Sequence, residues 1–258
     1  MTKANYHTHT YLCGHAEGLP IDYVQKAIEL GLEHIGISDH GYLKDKWVDR
    51  MNLEEYHNIY LPNIQEAKEK YGDKIEIFTG LELEYLDGYD SLYQKYYREN
   101  DYLILGQHIV EVDGIEYDLY KPMNDSLIIA YKEAVIKGME SGYFKILAHP
   151  DLYMLRYQEW NDLTEKIAIE IIESAIKNDV YLEINGNGTR RAATFTKDLE
   201  LTWLYPRVEF WRIVSRYQEA KVIVGDDAHY FAHLHDLAVT NAILFAKKMG
   251  ITIYDKIL

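Results

Sequence analysis

The chain alternates between short apolar runs and longer amphipathic segments. Seven of the apolar runs have the length and the composition of β-strands: Ala4–Thr10, His34–Asp39, Ile75–Tyr85, Tyr102–His108, Phe144–Pro150, Val180–Asn185 and Lys221–Asp227. Between them, apolar residues recur at three- and four-residue spacing and predict helices: Ile21–Leu30, Leu53–Tyr71, Ser126–Ser141, Leu163–Asn178, Arg207–Glu219 and Leu237–Lys248. The segment Tyr85–Asp101, rich in Tyr and Asp, is compatible with a helix or a loop.

Alternation of strands and helices favours parallel strands joined by helical crossovers, either in an open doubly wound sheet or in a closed barrel. No repeat, low-complexity segment or linker rich in Ser, Gly or Pro divides the 258 residues. We therefore expect residues 1–258 to form one α/β domain.

The composition is that of an ordinary globular protein, with 48% hydrophobic and 27% charged residues. Cys13 is the only cysteine, which excludes an intrachain disulfide. The N-terminus MTKANYHTHT lacks the apolar segment of a signal peptide, and no run approaches 18 apolar residues. We expect a cytoplasmic protein without a membrane partner, and a monomer as the default.

The formal net charge of -15 argues against binding of a nucleic acid polymer, which requires Lys and Arg to neutralise the phosphates. A small anionic substrate would still need positive charge in its binding site. Bound divalent cations can supply that charge, and some of the acidic residues could then be their ligands.

Histidines cluster where the predicted strands end, which is where α/β barrels assemble their active sites. The first strand ends with His7 and His9, which share one face of the strand and can point at one metal ion. His15 follows in a loop that contains glycine. Cys13 is not expected to be a ligand. Four other histidines are expected to have surface or packing roles: His34, His57, His233 and His235.

Carboxylates also occur at the ends of the second and third strands. Asp39 and His40 follow the second strand, where Asp39 could alternatively cap a helix or form an Asx turn. In the third strand Glu82 and Glu84 share a face between apolar residues, and a buried carboxylate requires a partner. The two oxygens of Glu82 could bridge two ions, and we expect Glu84 to point to solvent.

The later strands end with further ligand types, His108, His149 and the pair Asp227 and His229. Each of these by itself is weak support for a metal site. Their coincidence at six strand ends predicts a site for more than one metal ion.

The motifs HTHT, SDH, GLELE, QH, AHPD and GDDAH occur in the order typical of the polymerase and histidinol phosphatase (PHP) family, which the chain resembles from His7 to His229. The segments EINGNGTR and LYP resemble its histidinol-phosphate phosphatase branch. The resemblance implies a distorted (β/α)7 TIM-like barrel with a trinuclear site for three divalent ions, Zn, Mn or Fe.

By motif position, the resemblance implies three groups of ligands. The first ion would be held by His7, His9, Glu82 and Asp227, the second by Glu82, His108 and His149, and the third by His15, His40 and His229. Arg190 would bind phosphate, with Arg156 as a second candidate and Arg191 at the surface. Asp39 is a candidate general acid, and a water molecule held by a metal ion is the alternative.

The activity implied by the resemblance is metal-dependent hydrolysis of a small phosphate monoester, L-histidinol phosphate, to L-histidinol and phosphate in histidine biosynthesis, with water activated by the metal ions. One alternative is a PHP phosphoesterase that acts on nucleotides or other phosphoesters. Two further alternatives are a metal-dependent amidohydrolase and a metal-binding module without catalytic activity.

Overall fold

The computed structural model describes residues 2–45, 47 and 49–258. The strands are β1 Ala4–Asn5, β2 His34–Ile37, β3 Glu76–Leu83, β4 Tyr102–Leu105, β5 Ile109–Val112, β6 Ile115–Asp118, β7 Ile146–Leu147, β8 Tyr181–Asn185, β9 Thr194–Phe195, β10 Leu201–Thr202 and β11 Val222–Gly225. The α-helices are α1 Pro20–Glu29, α2 Leu53–Glu55, α3 Leu61–Tyr71, α4 Asp90–Glu99, α5 Asp125–Glu140, α6 Met154–Tyr157, α7 Asp162–Lys177, α8 Gly186–Arg190, α9 Val208–Val214 and α10 Leu237–Lys248.

Seven strands form a parallel sheet in the order β1-β2-β3-β4-β7-β8-β11. Its two edges meet beyond the ends of β1 and β11. The His9 N–H donates to the carbonyl of Ala228 at 2.9 Å, and the Ala228 N–H donates to the carbonyl of His7 at 3.2 Å. The predicted seven-stranded barrel is therefore confirmed, and its closure lies beside the first candidate ligands.

The strands are buried on both faces, as parallel strands covered by helices must be. Leu103, Leu105 and Leu182 belong to the large hydrophobic core. Tyr102 and Ile104, on the alternate face of β4, belong to a smaller cluster that also includes the neighbouring barrel strands. Further along this second face, towards the carboxyl ends of the strands, polar side chains replace the apolar ones.

Several elements differ from the sequence-based expectation. Strands β1 and β7 are shorter than predicted, because the residues after them leave the ladder and carry the candidate ligands His7 and His149. The predicted helix Leu53–Tyr71 contains a π-helical turn, Tyr56–Tyr60. Helix α9 stops at Val214, beyond which the backbone forms successive turns.

The structure contains two antiparallel hairpins that were not predicted, and it shows that the ambiguous segment is partly helical. The hairpin β5–β6 follows β4, and the hairpin β9–β10 follows α8. The ambiguous segment Tyr85–Asp101 contains helix α4. Within the described residues, no helix combines the length and the apolar character needed to cross a membrane.

The π-helical turn brings the buried hydroxyl of Tyr60 to the end of β2 and to the neighbouring part of β3. Its oxygen lies 2.9 Å from the carbonyl of Ile37 and 2.7 Å from that of Gly80, and it accepts the Asp39 N–H at 3.3 Å. Because π-helical turns concentrate at functional sites, this bridge is a candidate support for the end of the barrel that carries the ligands.

We expect Tyr60→Phe to lower the free energy of unfolding by about 1–2 kcal/mol, because it removes a buried hydroxyl and leaves backbone groups without a partner. Urea denaturation measures this change. The control is Tyr97→Phe, since Tyr97 is 55% exposed. An equal effect of the two substitutions would contradict the structural role of the Tyr60 hydroxyl.

Candidate metal centre

The carboxylate of Glu82 lies at the centre of the candidate site. Glu82 belongs to β3, is 1% exposed, and faces the interior of the barrel mouth. Its Oε2 atom lies 3.2 Å from His7 Nε2 and 3.4 Å from His9 Nε2. Its Oε1 atom lies 3.1 Å from His149 Nε2. One carboxylate therefore faces histidines on two sides.

The first group of donors converges on a common point. His7 Nε2 and His9 Nε2 are 3.1 Å apart, and Asp227 Oδ1 is 3.4 Å from His9 Nε2 and 3.9 Å from His7 Nε2. Ligand atoms about 2.0–2.1 Å from a tetrahedral ion lie about 3.3 Å from one another. Most of the separations in this group fit that geometry.

The second group lies on the opposite side of Glu82. His149 Nε2 and His108 Nε2 face Glu82 Oε1 at 3.1 and 3.7 Å, and the centroids of the two imidazole rings are 4.8 Å apart. One donor atom from each of the three side chains lies within 4.8 Å of the other two. Glu82 thus contributes to two groups, in the position where a bridging carboxylate would lie.

The third group consists of His15, His40 and His229, whose donor atoms also lie within 4.8 Å of one another. The ring centroids of His15 and His229 are 4.9 Å apart, and those of His15 and His40 are 5.5 Å apart. His40 Nδ1 is 3.1 Å from Glu82 Oε2, so this group adjoins the first. The structure brings together all the predicted ligands, in the three predicted groups.

The chemistry of these donors fits divalent cations. The Nδ1 atom of His40, which faces Glu82 Oε2 at 3.1 Å, is buried without a hydrogen-bond partner among the described residues, which is costly unless another group satisfies it. Imidazole and carboxylate donors suit first-row divalent metals. Cys13 lies near His9 and His229, but burial raises the pKa of its thiol and disfavours the thiolate that binds metals.

The carboxylates of the site are held in the charged form that binds cations. Burial by itself raises the pKa of Glu82, but the neighbouring His7, His40 and His108 hold this pKa well below its usual range. Burial also raises the pKa of Asp227, and nearby histidines lower it by more.

Two candidate ligands have backbones in the left-handed region, His149 with φ 34° and Asp227 with φ 47°. Non-glycine residues pay a conformational cost there, and such residues cluster at functional sites. His149 also precedes Pro150, which restricts its backbone further. At both strand ends the chain turns sharply, so these two side chains point into the barrel mouth.

Two glycines leave room for buried carboxylates. A Cβ atom on Gly106 would overlap the carboxylate of Glu82, and one on Gly225 would overlap that of Glu183. Gly106 directly follows β4, which pairs with the strand of Glu82, and Gly225 ends β11, which pairs with the strand of Glu183. The two buried carboxylates can therefore occupy these positions only because Gly106 and Gly225 have no side chain.

Glu183 was missed by the sequence analysis and supports three ligands. Its Oε1 lies 2.7 Å from His7 Nδ1, and its Oε2 accepts the backbone N–H of His149 at 3.2 Å. Asn185 Nδ2 donates to Glu183 Oε2 at 2.7 Å and to Asp227 Oδ2 at 3.1 Å. A carboxylate between Leu182 and Ile184 of a buried strand was the signal that could have identified it.

The expectation that Glu84 points to solvent is wrong. Glu84 is 1% exposed. It lies two residues beyond Glu82 and also faces the site. Its Oε1 is 3.0 Å from His108 Nδ1 and accepts a hydrogen bond from an Arg50 terminal nitrogen at 2.5 Å.

Asp39 is fully buried, which is at odds with its predicted role as general acid. Its oxygens accept the backbone N–H of Thr10 at 3.0 Å, the hydroxyl of Thr10, and the backbone N–H of His40 at 2.9 Å. Its Oδ1 is 3.4 Å from His9 Nδ1, behind that ring. In this position Asp39 orients His9 and does not line the pocket.

The predicted phosphate-binding arginines are also placed differently. The guanidinium of Arg190 donates hydrogen bonds to the Asp236 carboxylate at 2.8 Å and to the carbonyls of Asp226 at 2.7 Å and His233 at 2.6 Å. Arg156 is exposed and donates to a backbone carbonyl, that of Tyr120. Neither guanidinium lines the pocket above the ligands.

Arg191, which the sequence analysis placed at the surface, lines this pocket. Its guanidinium lies over the rings of Tyr120 and Tyr205, at 5.8 and 5.5 Å from their centroids, and its Nε donates to the Tyr205 hydroxyl at 3.0 Å. Within the described part of the chain, its two terminal nitrogens have no hydrogen-bond partner. They are available to an anionic ligand.

The pocket has a volume of about 620 Å³, in the range typical of small-molecule sites. Ligands from each of the three groups form its floor, and Arg50 and Arg191 add positive charge. Asp49 and Asp118 lie in its wall, and His233, for which a surface or packing role was expected, also lines it. The arrangement can accommodate a small molecule that carries both an anionic and a cationic group.

We expect Glu183→Gln to lower the affinity for divalent metal by about 10- to 100-fold, because the amide loses the charge that holds His7 and the backbone of His149. Chelator competition and elemental analysis measure the change. Glu173→Gln, at an exposed position, serves as the control. Unchanged metal affinity in Glu183→Gln would contradict the supporting role of this carboxylate.

Comparison with known proteins identifies relatives that are named histidinol-phosphatases. The chain is 28% identical over 271 residues to the histidinol-phosphatase of Lactococcus lactis subsp. lactis, covering 97% of this chain and 92% of that protein. A protein of Deinococcus radiodurans named "Probable histidinol-phosphatase" is 28% identical over 146 residues, but this match spans only 53% of that protein's length.

A solved structure gives the same fold. The histidinol phosphate phosphatase of Lactococcus lactis subsp. lactis, complexed with Zn, L-histidinol and phosphate, has a TM-score of 0.72 with 22% sequence identity. The superposition covers 98% of this chain and 95% of that chain. The barrel architecture is therefore shared along nearly the whole length.

The PHP domain model matches residues 5–187, a span that includes every candidate ligand except Asp227 and His229. Those two residues follow β11, where the barrel closes against β1, and complete the first and third groups. By this match over more than half of its length, the chain belongs to the PHP family.

Proposed function

We propose that this protein is a metal-dependent phosphomonoesterase that hydrolyses L-histidinol phosphate to L-histidinol and phosphate. The observation that carries the proposal is the set of three donor groups around Glu82 at the floor of a pocket that also contains Arg191. The choice of substrate is supported by the likeness to the Lactococcus histidinol-phosphatase over 97% of this chain.

In this proposal the three donor groups bind three divalent ions, Zn, Mn or Fe. Ions at these positions would supply an activated water molecule and offset the negative charge of the phosphate oxygens. Glu183 and Asp39 would maintain the orientations of His7 and His9, since each carboxylate lies behind one of these rings.

The protein side chains of the pocket bind and orient the phosphate monoester. The terminal nitrogens of Arg191 would donate hydrogen bonds to two phosphate oxygens. The rings of Tyr120 and Tyr205 would fix the orientation of its guanidinium. The leaving alkoxide requires a proton. Because Asp39 is buried away from the pocket, a water molecule in the pocket is the favoured source of that proton.

The charges of the pocket wall favour an aminoalkyl phosphate over a nucleotide. Asp118, and Asp49 beside its partner Arg50, present carboxylates that would attract the cationic amine of L-histidinol phosphate. The same carboxylates would repel the additional phosphates of a nucleoside diphosphate or triphosphate. The substrate preference would therefore come from opposite charges within one pocket.

We expect a kcat/KM for L-histidinol phosphate at least about 100-fold above those for mononucleotides and sugar phosphates, or about 2.7 kcal/mol of transition-state discrimination. Phosphate release by protein reconstituted with Zn or Mn measures these values. A chelator should abolish turnover, and restored metal should recover it. Equal rates across the panel would retain a PHP phosphoesterase and reject the assigned substrate.

We expect Arg191→Gln to lower kcat/KM for the phosphate monoester by about 10- to 100-fold, because hydrogen bonds to the charged phosphate are lost. The matched control is Arg190→Gln at the neighbouring position. Since Arg190 joins α8 to the loop after β11, this variant should lower the free energy of unfolding by about 1.5–3 kcal/mol. Steady-state kinetics and urea denaturation of both variants separate the two roles, and the reverse result would restore Arg190 as the phosphate ligand.

A further inference from the structure

The imidazole of His108 has different neighbours on its two sides. Its Nε2 faces Glu82 Oε1 at 3.7 Å, within the second donor group. Its Nδ1 faces Glu84 Oε1 at 3.0 Å. An ionised carboxylate only accepts hydrogen bonds, so the Nδ1 atom carries the proton and the lone pair of Nε2 points to the metal position.

Glu84 in turn is paired with Arg50. A terminal nitrogen of Arg50 donates to Glu84 Oε1 at 2.5 Å, and the side chains of Arg50 and Glu84 are only 4% and 1% exposed. Removing one partner of such a buried pair leaves a charge without compensation, at a large cost in free energy. The guanidinium therefore keeps the carboxylate ionised and in place behind His108.

Arg50 is itself fixed by its own loop. Its other terminal nitrogen lies 3.1 Å from Asp49 Oδ1 and donates to the Asp49 carbonyl at 2.9 Å. The guanidinium also lies over the ring of Trp47, 5.8 Å from its centroid. This loop follows β2 and contains His40. The segment that carries a candidate ligand of the third group therefore also carries Arg50, which contacts the support of a candidate ligand of the second group.

Within the second group, only His108 has such a support among the described residues. The Nδ1 atom of His149 is buried without a hydrogen-bond partner in the part of the chain that the structure describes. The orientation of the two imidazoles in this group therefore depends on Glu84 behind His108 and on the strained backbone of His149, whose N–H donates to Glu183.

We propose that Arg50 and Glu84 are positioning residues that hold His108 in the Nδ1-protonated tautomer and aim its Nε2 at the second metal ion. Only the kinetic test of this inference rests on the proposed phosphatase activity. Metal binding and the tautomer can be measured in the absence of substrate.

The first test uses the unmodified, zinc-loaded protein. Long-range ¹⁵N–¹H NMR of the histidine side chains, with His108 assigned by comparison with a His108→Gln sample, identifies the protonated nitrogen. We expect Nδ1 to carry the proton. A proton on Nε2 would overturn the proposal without requiring any variant of Glu84 or Arg50 to fold.

The second test compares Glu84→Gln and Arg50→Lys with a control in the same loop. Lys44 forms an ion pair with Glu116 at 2.6 Å, so Lys44→Gln releases a tether of this loop without touching Glu84 or His108. Elemental analysis and chelator competition with zinc report the number of bound ions and their affinities in each variant.

We expect Glu84→Gln to weaken one bound ion by about 10- to 100-fold and to leave the others in place. Arg50→Lys, which keeps the positive charge, should weaken the same ion by less, and Lys44→Gln should match the unmodified protein. Wild-type affinity for every ion in Glu84→Gln would overturn the proposal. So would the same loss in Lys44→Gln, since loosening of the loop would then explain it.

Kinetics at saturating metal separate this inference from the proposed substrate. For any phosphate monoester that the protein turns over, Glu84→Gln should lower kcat by at least about 10-fold and change KM by less than about 3-fold, because Glu84 positions a metal ligand and does not bind substrate. A change in KM alone would contradict the positioning role. Failure of L-histidinol phosphate as a substrate would leave the metal and NMR results intact.

Discussion

The structure depends on an ionised carboxylate, that of Glu82, placed almost without exposure inside a barrel. A charge in that position is expensive unless neighbouring groups compensate it. The compensation comes from imidazoles that approach both of its oxygens. Room for the carboxylate comes from Gly106, where any side chain would overlap it. The same residues therefore determine both the packing of the barrel mouth and the electrostatics of the site.

The interior of the barrel changes character along the strands. Tyr6, Tyr102 and Ile104 fill the end nearest the amino termini of the strands, and the Tyr102 hydroxyl donates to the carbonyl of Tyr6 at 2.5 Å. Beyond this layer the same face of the strands carries Glu82 and Glu183. The apolar layer excludes water from below, which strengthens the electrostatic interactions within the polar layer.

A second set of carboxylates surrounds the donors. Glu183 lies behind His7, Asp39 behind His9, and Glu84 behind His108. Each of these carboxylates is buried, and each can fix the orientation of the ring in front of it. Part of the strongly acidic composition, with its net charge of -15, thus belongs to the supporting layer of the site.

The sequence by itself determined the seven strands and the donor types at the strand ends, because strand periodicity and the donor chemistry of His, Glu and Asp are local properties. The periodicity left an open sheet and a closed barrel as alternatives, and only the resemblance to the PHP family implied the barrel. The sequence could not determine which way a side chain points after a strand or helix ends. Arg190 closes α8 whereas Arg191 is extended at φ -76° and ψ 164°, so adjacent arginines face the fold and the pocket. Glu84 likewise required a partner, Arg50, from a distant loop. Such pairings arise only when the barrel closes, and the tertiary structure alone decided them.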